Sequence, residues 1–238
     1  MIQAGGPVIP DFGEGSSCVT GDNLFCWDWV QDHWSDTLQP KLIDHIELTL
    51  IAVSIGFVLA FALALLVHHY RPLGGPIGVA AALIYTIPSL ALFTILITSF
   101  GVSTTTIEIA LVGYSLVILY PNIIAGLRSA PPEVLEAARG MGLKPRQVLT
   151  RVELPLAVPA IIGGLRIAVV STVSIATIAA FVGGRGLGKP IFDALQLPTP
   201  FKTEIYATGF LVVALALACD LVLVVLRCVL VPWTRVRQ

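Results

Sequence analysis

Two ionisable residues, Arg166 and Asp220, interrupt apolar blocks in the second half of the chain. A guanidinium and a carboxylate can neutralise one another, but together they supply neither a nucleophile nor a metal cage. Catalysis inside a membrane needs paired acids, a Ser-His pair or a metal triad, and no such set lies within these blocks. His68 and His69 fall where the first apolar block ends, and without a partner nearby in sequence they read as interfacial polar residues rather than ligands. Cys18, Cys26, Cys219 and Cys228 lack metal-type spacing, so no metal site is expected. In an oxidising space Cys18 and Cys26 can close a short loop, a disulfide that spacing alone leaves open. Arg166 lies seven residues after Pro159 and Asp220 seven before Arg227, which at about 1.5 Å per residue puts both roughly 10 Å below one surface. A buried ion pair between them is expected. The alternative has Arg166 snorkelling to that surface while Asp220 faces a wet cavity or another subunit.

The elements that must position these residues are long and apolar. Hydrophobic residues make up 56% of the 238 and charged residues 12%, with a mean hydropathy of +0.89, more than a soluble domain with a solvated surface shows. The chain reads as an all-α, polytopic membrane helix bundle of about five transmembrane helices. Residues 1–45 are expected to form an extracytoplasmic arm, 46–230 the transmembrane domain and 231–238 a cytoplasmic tail. In the arm, Trp27, Trp29 and Trp34 either sit on the headgroup layer or make a small local cluster. The expected spans are 46–67, 76–100, 107–127, about 159–182 and 205 to about 226. Pro88 falls near the middle of the second and frees a backbone carbonyl that Thr86 or Ser89 can satisfy; its kink is either plain helix shaping or a bend at a translocation path, for which Thr86, Pro88 and Ser89 are the candidate residues. Thr104, Thr105 and Thr106 offer caps for the third span. The fourth is dense in Gly, Ala, Ser and Thr, which permits close helix approach and places it centrally in the bundle. The glycine-rich segment that follows, from Gly183, has no lysine-serine ending and is no P-loop.

Between the third and fourth spans lies a polar insert, residues 128–155. Pro131 and Pro132 suit a first helical turn, Ser129 can cap it, and Glu133 and Glu136 put negative charge near the positive end of the helix dipole. Gly140 and Gly142 end it. Glu136, Ala137 and Ala138 are followed after three residues by Gly142, then after nine by Val152, then by Leu154-Pro155. This spacing resembles the EAA loop of ABC-importer permeases, departing only in having Val152 where that pattern has isoleucine. The stretches TIPSLAL (86–92), EAARGMG (136–142), VELPLAVPAIIGGLRIA (152–168) and GGRGLGKPIF (183–192) together resemble the permeases of osmoprotectant importers, over roughly residues 45–230. The alternatives are an ABC permease for another small solute such as an amino acid, an intramembrane enzyme, or a secondary transporter; five spans without an internal repeat argue against the last.

The resemblance implies a type I ABC-importer fold in which the loop is a coupling helix docking on a cytoplasmic ATPase dimer. Glu136, Ala137, Ala138 and Gly142 match the docking motif, and Leu154 and Pro155 the return to the membrane. It implies further that ATP and Mg bind in the ATPase, with no cofactor in this chain. The expected partners are a second permease subunit, identical or related, an extracytoplasmic binding protein and the bilayer, with no nucleic acid. Solutes of the glycine betaine, choline and carnitine type follow from the same resemblance. Eight of the fifteen acids precede Leu48, whereas most Lys and Arg residues follow Arg128. Placing the loop inside leaves only Lys41, Arg185, Lys189 and Lys202 outside, so the N-terminus is expected outside and the C-terminus in the cytoplasm.

Overall fold

The computed structural model describes residues 24–197 and 201–232, and all regular structure among them is helical. A short helix, α1 (Trp27–Asp32), and a π-helical turn (Trp34–Leu38) lead into the first long helix, α2 (Gln39–His69). That helix starts seven residues before the first span expected from hydropathy. The reason is Pro40 in its first turn, where a missing N–H costs nothing, followed by two turns whose polar side chains find partners. Of the three tryptophans Trp29 forms a local cluster: it is buried, stacked on His33 with ring centroids 4.4 Å apart and met edge-on by Phe201 at 5.2 Å. Cys26 is buried, but its suggested partner Cys18 lies outside the described residues.

The second expected span is two helices, α3 (Gly74–Thr86) and α4 (Ser89–Phe100), bent by 98° at Pro88. This is a break rather than a kink. Ile87, held extended by the proline that follows it, cannot continue the helix. The carbonyls left open at the break are met by side chains: Thr86 donates its hydroxyl to the Leu83 carbonyl at 2.7 Å, and Tyr114 reaches the Ile87 carbonyl from the next helix at 2.5 Å.

That next helix, α5 (Thr104–Leu127), is capped by Ser103 rather than by the threonines, its Oγ accepting from the Thr106 N–H at 3.2 Å. The polar insert gives α6 (Pro132–Gly140) and the single turn α7 (Pro145–Val148). A π-helical turn (Leu149–Glu153) then runs into α8 (Leu154–Ile178). A short α9 (Ala180–Gly183), the amphipathic α10 (Gly188–Gln196) and α11 (Lys202–Leu230) complete the described chain. Among the described residues, four helices are long and apolar enough to cross a membrane, five if the broken pair counts as one span.

Helices α2, α5 and α8 make the core, and α11 packs on the outside of α8. Close approach explains the small residues of α8: a Cβ on Gly164 would sit 2.4 Å from the Asn122 Cβ of α5. At the end opposite α6, the segment 184–187 is locked onto the start of α2. His45, fully buried, accepts the Leu187 N–H on Nδ1 at 3.1 Å and meets the Val173 carbonyl through Nε2 at 3.0 Å. A neutral imidazole protonated on Nε2 satisfies both. Arg185 reaches Asp44 at 2.8 Å and Glu47 at 3.0 Å, and the hydrogen bond to Asp44 is the main reason its pKa rises above the ordinary arginine value.

Candidate functional site: coupling helix and groove

Helix α6 ends in a hydrogen-bond pattern that fixes the exit of the chain. The Gly142 N–H donates to the Arg139 carbonyl at 2.9 Å and the Leu143 N–H to the Ala138 carbonyl at 3.2 Å, with Gly142 itself at φ +78°. This is a Schellman ending, and the left-handed residue in it is the glycine of the EAA pattern. Ser129 does not cap the helix; its hydroxyl turns back to the Gly126 carbonyl at 2.7 Å, and Pro131 stands at the N-cap without a side-chain bond. The helix is two-sided. Ala138 is 2% exposed, whereas Glu136, Ala137 and Gly142 face outward beside Met141, which is 73% exposed.

Leu154 and Pro155 do not join that outer surface. They are half-buried at the foot of α8, where Pro155 occupies the first turn and sets the direction of return. Val152 lies in the π-helical turn before them. Its neighbour Glu153 is buried and accepts from His68 at the end of α2 at 3.0 Å. Helix α6 is thus joined by the chain to the end of α5 on one side and through this turn to α8 on the other, with α2 tied to the turn by His68.

Along the opposite face of α8 runs a groove built from three adjoining cavities of about 370, 490 and 590 Å³. Ser171 lines all three, and Tyr85, Ile118 and Ile167 each line two. Pro88 and Ser89 border the second cavity together with Tyr114 and Ser174; Thr86, exposed, has its hydroxyl committed to α3. The break at Pro88 thus opens onto the groove. Tyr85, which lines two of the cavities, is 63% exposed. Tyr85, Ser171 and Ser174 carry no motif, and only the break itself pointed to this region in the sequence.

Arg166 and Asp220 meet at the groove's edge in the third cavity. Nε donates to Oδ1 at 2.7 Å and Nη2 to Oδ2 at 2.8 Å, a bidentate fork joining α8 to α11. The pair forms but is half-buried rather than buried, its side chains 33% and 29% exposed where they border the cavity. Among the described residues no three His, Cys, Asp or Glu are grouped as metal ligands.

Helices long and apolar enough to cross a membrane, a groove along α8 and a loop helix joined to two of them are the parts of an integral-membrane transport permease. The chain belongs to the family described as the inner membrane component of binding-protein-dependent transport systems, which matches residues 52–236. It is 35% identical over 192 residues to the choline transport system permease protein OpuBB of Bacillus subtilis, covering 81% of this chain and 88% of that one. With the osmoprotectant import permease protein OsmW of Salmonella typhimurium it shares 34% identity over 200 residues, 82% and 92% of the two chains. Its fold is that of a chain of the MetNI methionine ABC transporter in an inward-facing conformation, with a TM-score of 0.75 at 19% identity over 84% of this chain and 98% of that one.

Proposed function

We propose that this chain is the permease subunit of an ATP-driven importer for quaternary ammonium osmoprotectants such as choline, glycine betaine or carnitine. The observation that carries the ATP-driven part is the outer surface of α6: Glu136, Ala137 and Gly142 are presented to a partner while Ala138 faces the protein. A cytoplasmic ATPase dimer docks there, binding the ATP and Mg, and its closure moves α5 and α8 through the two ends of the loop. Positive charge concentrated at the loop end of the bundle supports placing α6 and the C-terminus in the cytoplasm and the N-terminus outside.

Outside, the segment 183–204 is the contact for the binding protein, which holds the solute tightly and delivers it. A second permease, identical or related, completes the path by facing the groove. The solute class is supported by the relatives' names and by the groove's chemistry. A quaternary ammonium has no N–H to donate, so it passes over aromatic faces such as Tyr85, attracted by cation-π interaction, rather than into a cage of acceptors.

The test is uptake by the complex of this permease with its ATPase and binding protein in proteoliposomes. Labelled choline, glycine betaine or carnitine is expected to enter only with internal ATP. Uptake of an amino acid in their place would move the substrate class, and uptake without ATP would reject the mechanism.

A further inference from the structure

We propose that the cavity at the loop end of the bundle is a binding site for the phosphate of an anionic phospholipid headgroup. The cavity measures about 440 Å³ and is lined by Val67, His68 and Arg71 after α2, Leu127 and Arg128 at the end of α5, and Glu153 before α8. Its floor is apolar, since Val67 and Leu127 are fully buried. Its rim is cationic. Arg71 and Arg128 are exposed, and among the described residues no carboxylate lies within 4.0 Å of either guanidinium. The other ion pairs of the described chain show that this is not for want of acids: Arg166 holds one and Arg185 two. Glu153, the acid nearest to hand, is committed to His68 at 3.0 Å.

Two arginines without a counter-ion on one cavity present up to ten N–H donors in planar forks, a geometry suited to phosphate oxygens. Depth selects the source of that phosphate. Helix α2 ends at His69 and α5 at Leu127, and α8 begins at Leu154, so the cavity opens where the apolar spans stop and the headgroup layer starts. Basic pockets between transmembrane helices at that level recognise anionic headgroups. The surface presented to a protein lies elsewhere, on the outward residues of α6, whereas Leu135 of that helix lines the cavity. The site is independent of which solute the permease carries.

The experiment is native mass spectrometry of the purified full-length chain, with its partner subunits where they co-purify, in mild detergent with equimolar phosphatidylglycerol and phosphatidylcholine. Retention of phosphatidylglycerol over phosphatidylcholine is expected, undisturbed by millimolar inorganic phosphate. The double variant Arg71→Gln, Arg128→Gln is expected to weaken phosphatidylglycerol binding by about 30-fold, with phosphatidylcholine and helical circular dichroism unchanged. If the double variant does not fold, Arg71→Gln alone at its exposed site is expected to weaken it about fivefold. Equal retention of the two lipids, or of phosphatidylglycerol by wild type and variant, would overturn the site. Displacement by inorganic phosphate would overturn the lipid as its source. Loss of a co-purifying ATPase with lipid retention unchanged would give the arginines to the partner protein and overturn it as well.

Discussion

The phenol of Tyr114 donates to the carbonyl of Ile87 at 2.5 Å, from one helix into the break of another. A carbonyl at a break within a bilayer has no helical N–H to turn to, and leaving it unmet costs more than the bond itself contributes. Tyr114→Phe keeps the ring and removes only the donor. We expect it to lower the stability of the folded permease by about 1–2 kcal/mol, measured by reversible denaturation in detergent. Unchanged stability would mean that the broken span satisfies its own backbone.

The sequence made the four continuous crossings legible because hydropathy over about 20 residues reports a crossing directly. It also showed Pro88 as a disruption, since a proline in an apolar block has few other meanings. The size of the break, 98°, was not legible, nor was the partner of the Ile87 carbonyl, Tyr114, which lies 26 positions after Pro88 on the next helix. The caps went the same way. Ser129 and the run Thr104–Thr106 are good capping types, but Ser129 was drawn to the Gly126 carbonyl and Ser103 stood one residue earlier at the turn. The groove along α8 was hidden because Ser171, Ser174 and Tyr85 are ordinary helix residues until the helices around them are in place.

Gly142 stands at φ +78° at the end of α6. Any side chain there meets the left-handed penalty of about 1–2 kcal/mol, least for asparagine. Gly142→Asp is therefore expected to leave the protein in the membrane while uncoupling uptake from ATP hydrolysis, and Gly142→Asn to retain more coupling than Gly142→Ala. Normal transport by the Asp variant would remove α6 from the coupling path.

His45 fixes the segment 184–187 to α2 through two hydrogen bonds. His45→Phe fills the space but strands the Leu187 N–H, while the Val173 carbonyl still accepts from the Thr177 hydroxyl at 3.1 Å, and is expected to cost about 1–3 kcal/mol in stability, read from thermal unfolding in detergent. Arg185 beside it adds no pH dependence of its own in the accessible range. Its raised pKa means that its contribution is complete below the unfolded value and is lost only above the folded one, both far on the alkaline side. A melting temperature sensitive to pH between 8 and 9 in wild type, and absent in Arg185→Gln, would contradict this.

Arg166 and Asp220 join α8 to α11 by a bidentate fork whose outer edge is open to the groove. Removing either partner strands the other at membrane depth, where an unpaired charge has only groove water to turn to. Arg166→Ala and Asp220→Ala are each expected to reduce the amount of assembled permease. The swap Arg166→Asp, Asp220→Arg restores neutrality with a different reach, so partial recovery is expected. A neutral pair, Arg166→Leu with Asp220→Leu, separates two roles of the fork. If the pair only staples α8 to α11, apolar packing replaces it and both assembly and uptake return. If the charges also serve the path, assembly returns and uptake does not. Because the guanidinium borders the 590 Å³ cavity that Ser171 shares with the rest of the groove, we expect the second outcome, checked by comparing purified yield with uptake per assembled complex; full uptake by the neutral pair would confine Arg166 and Asp220 to the staple.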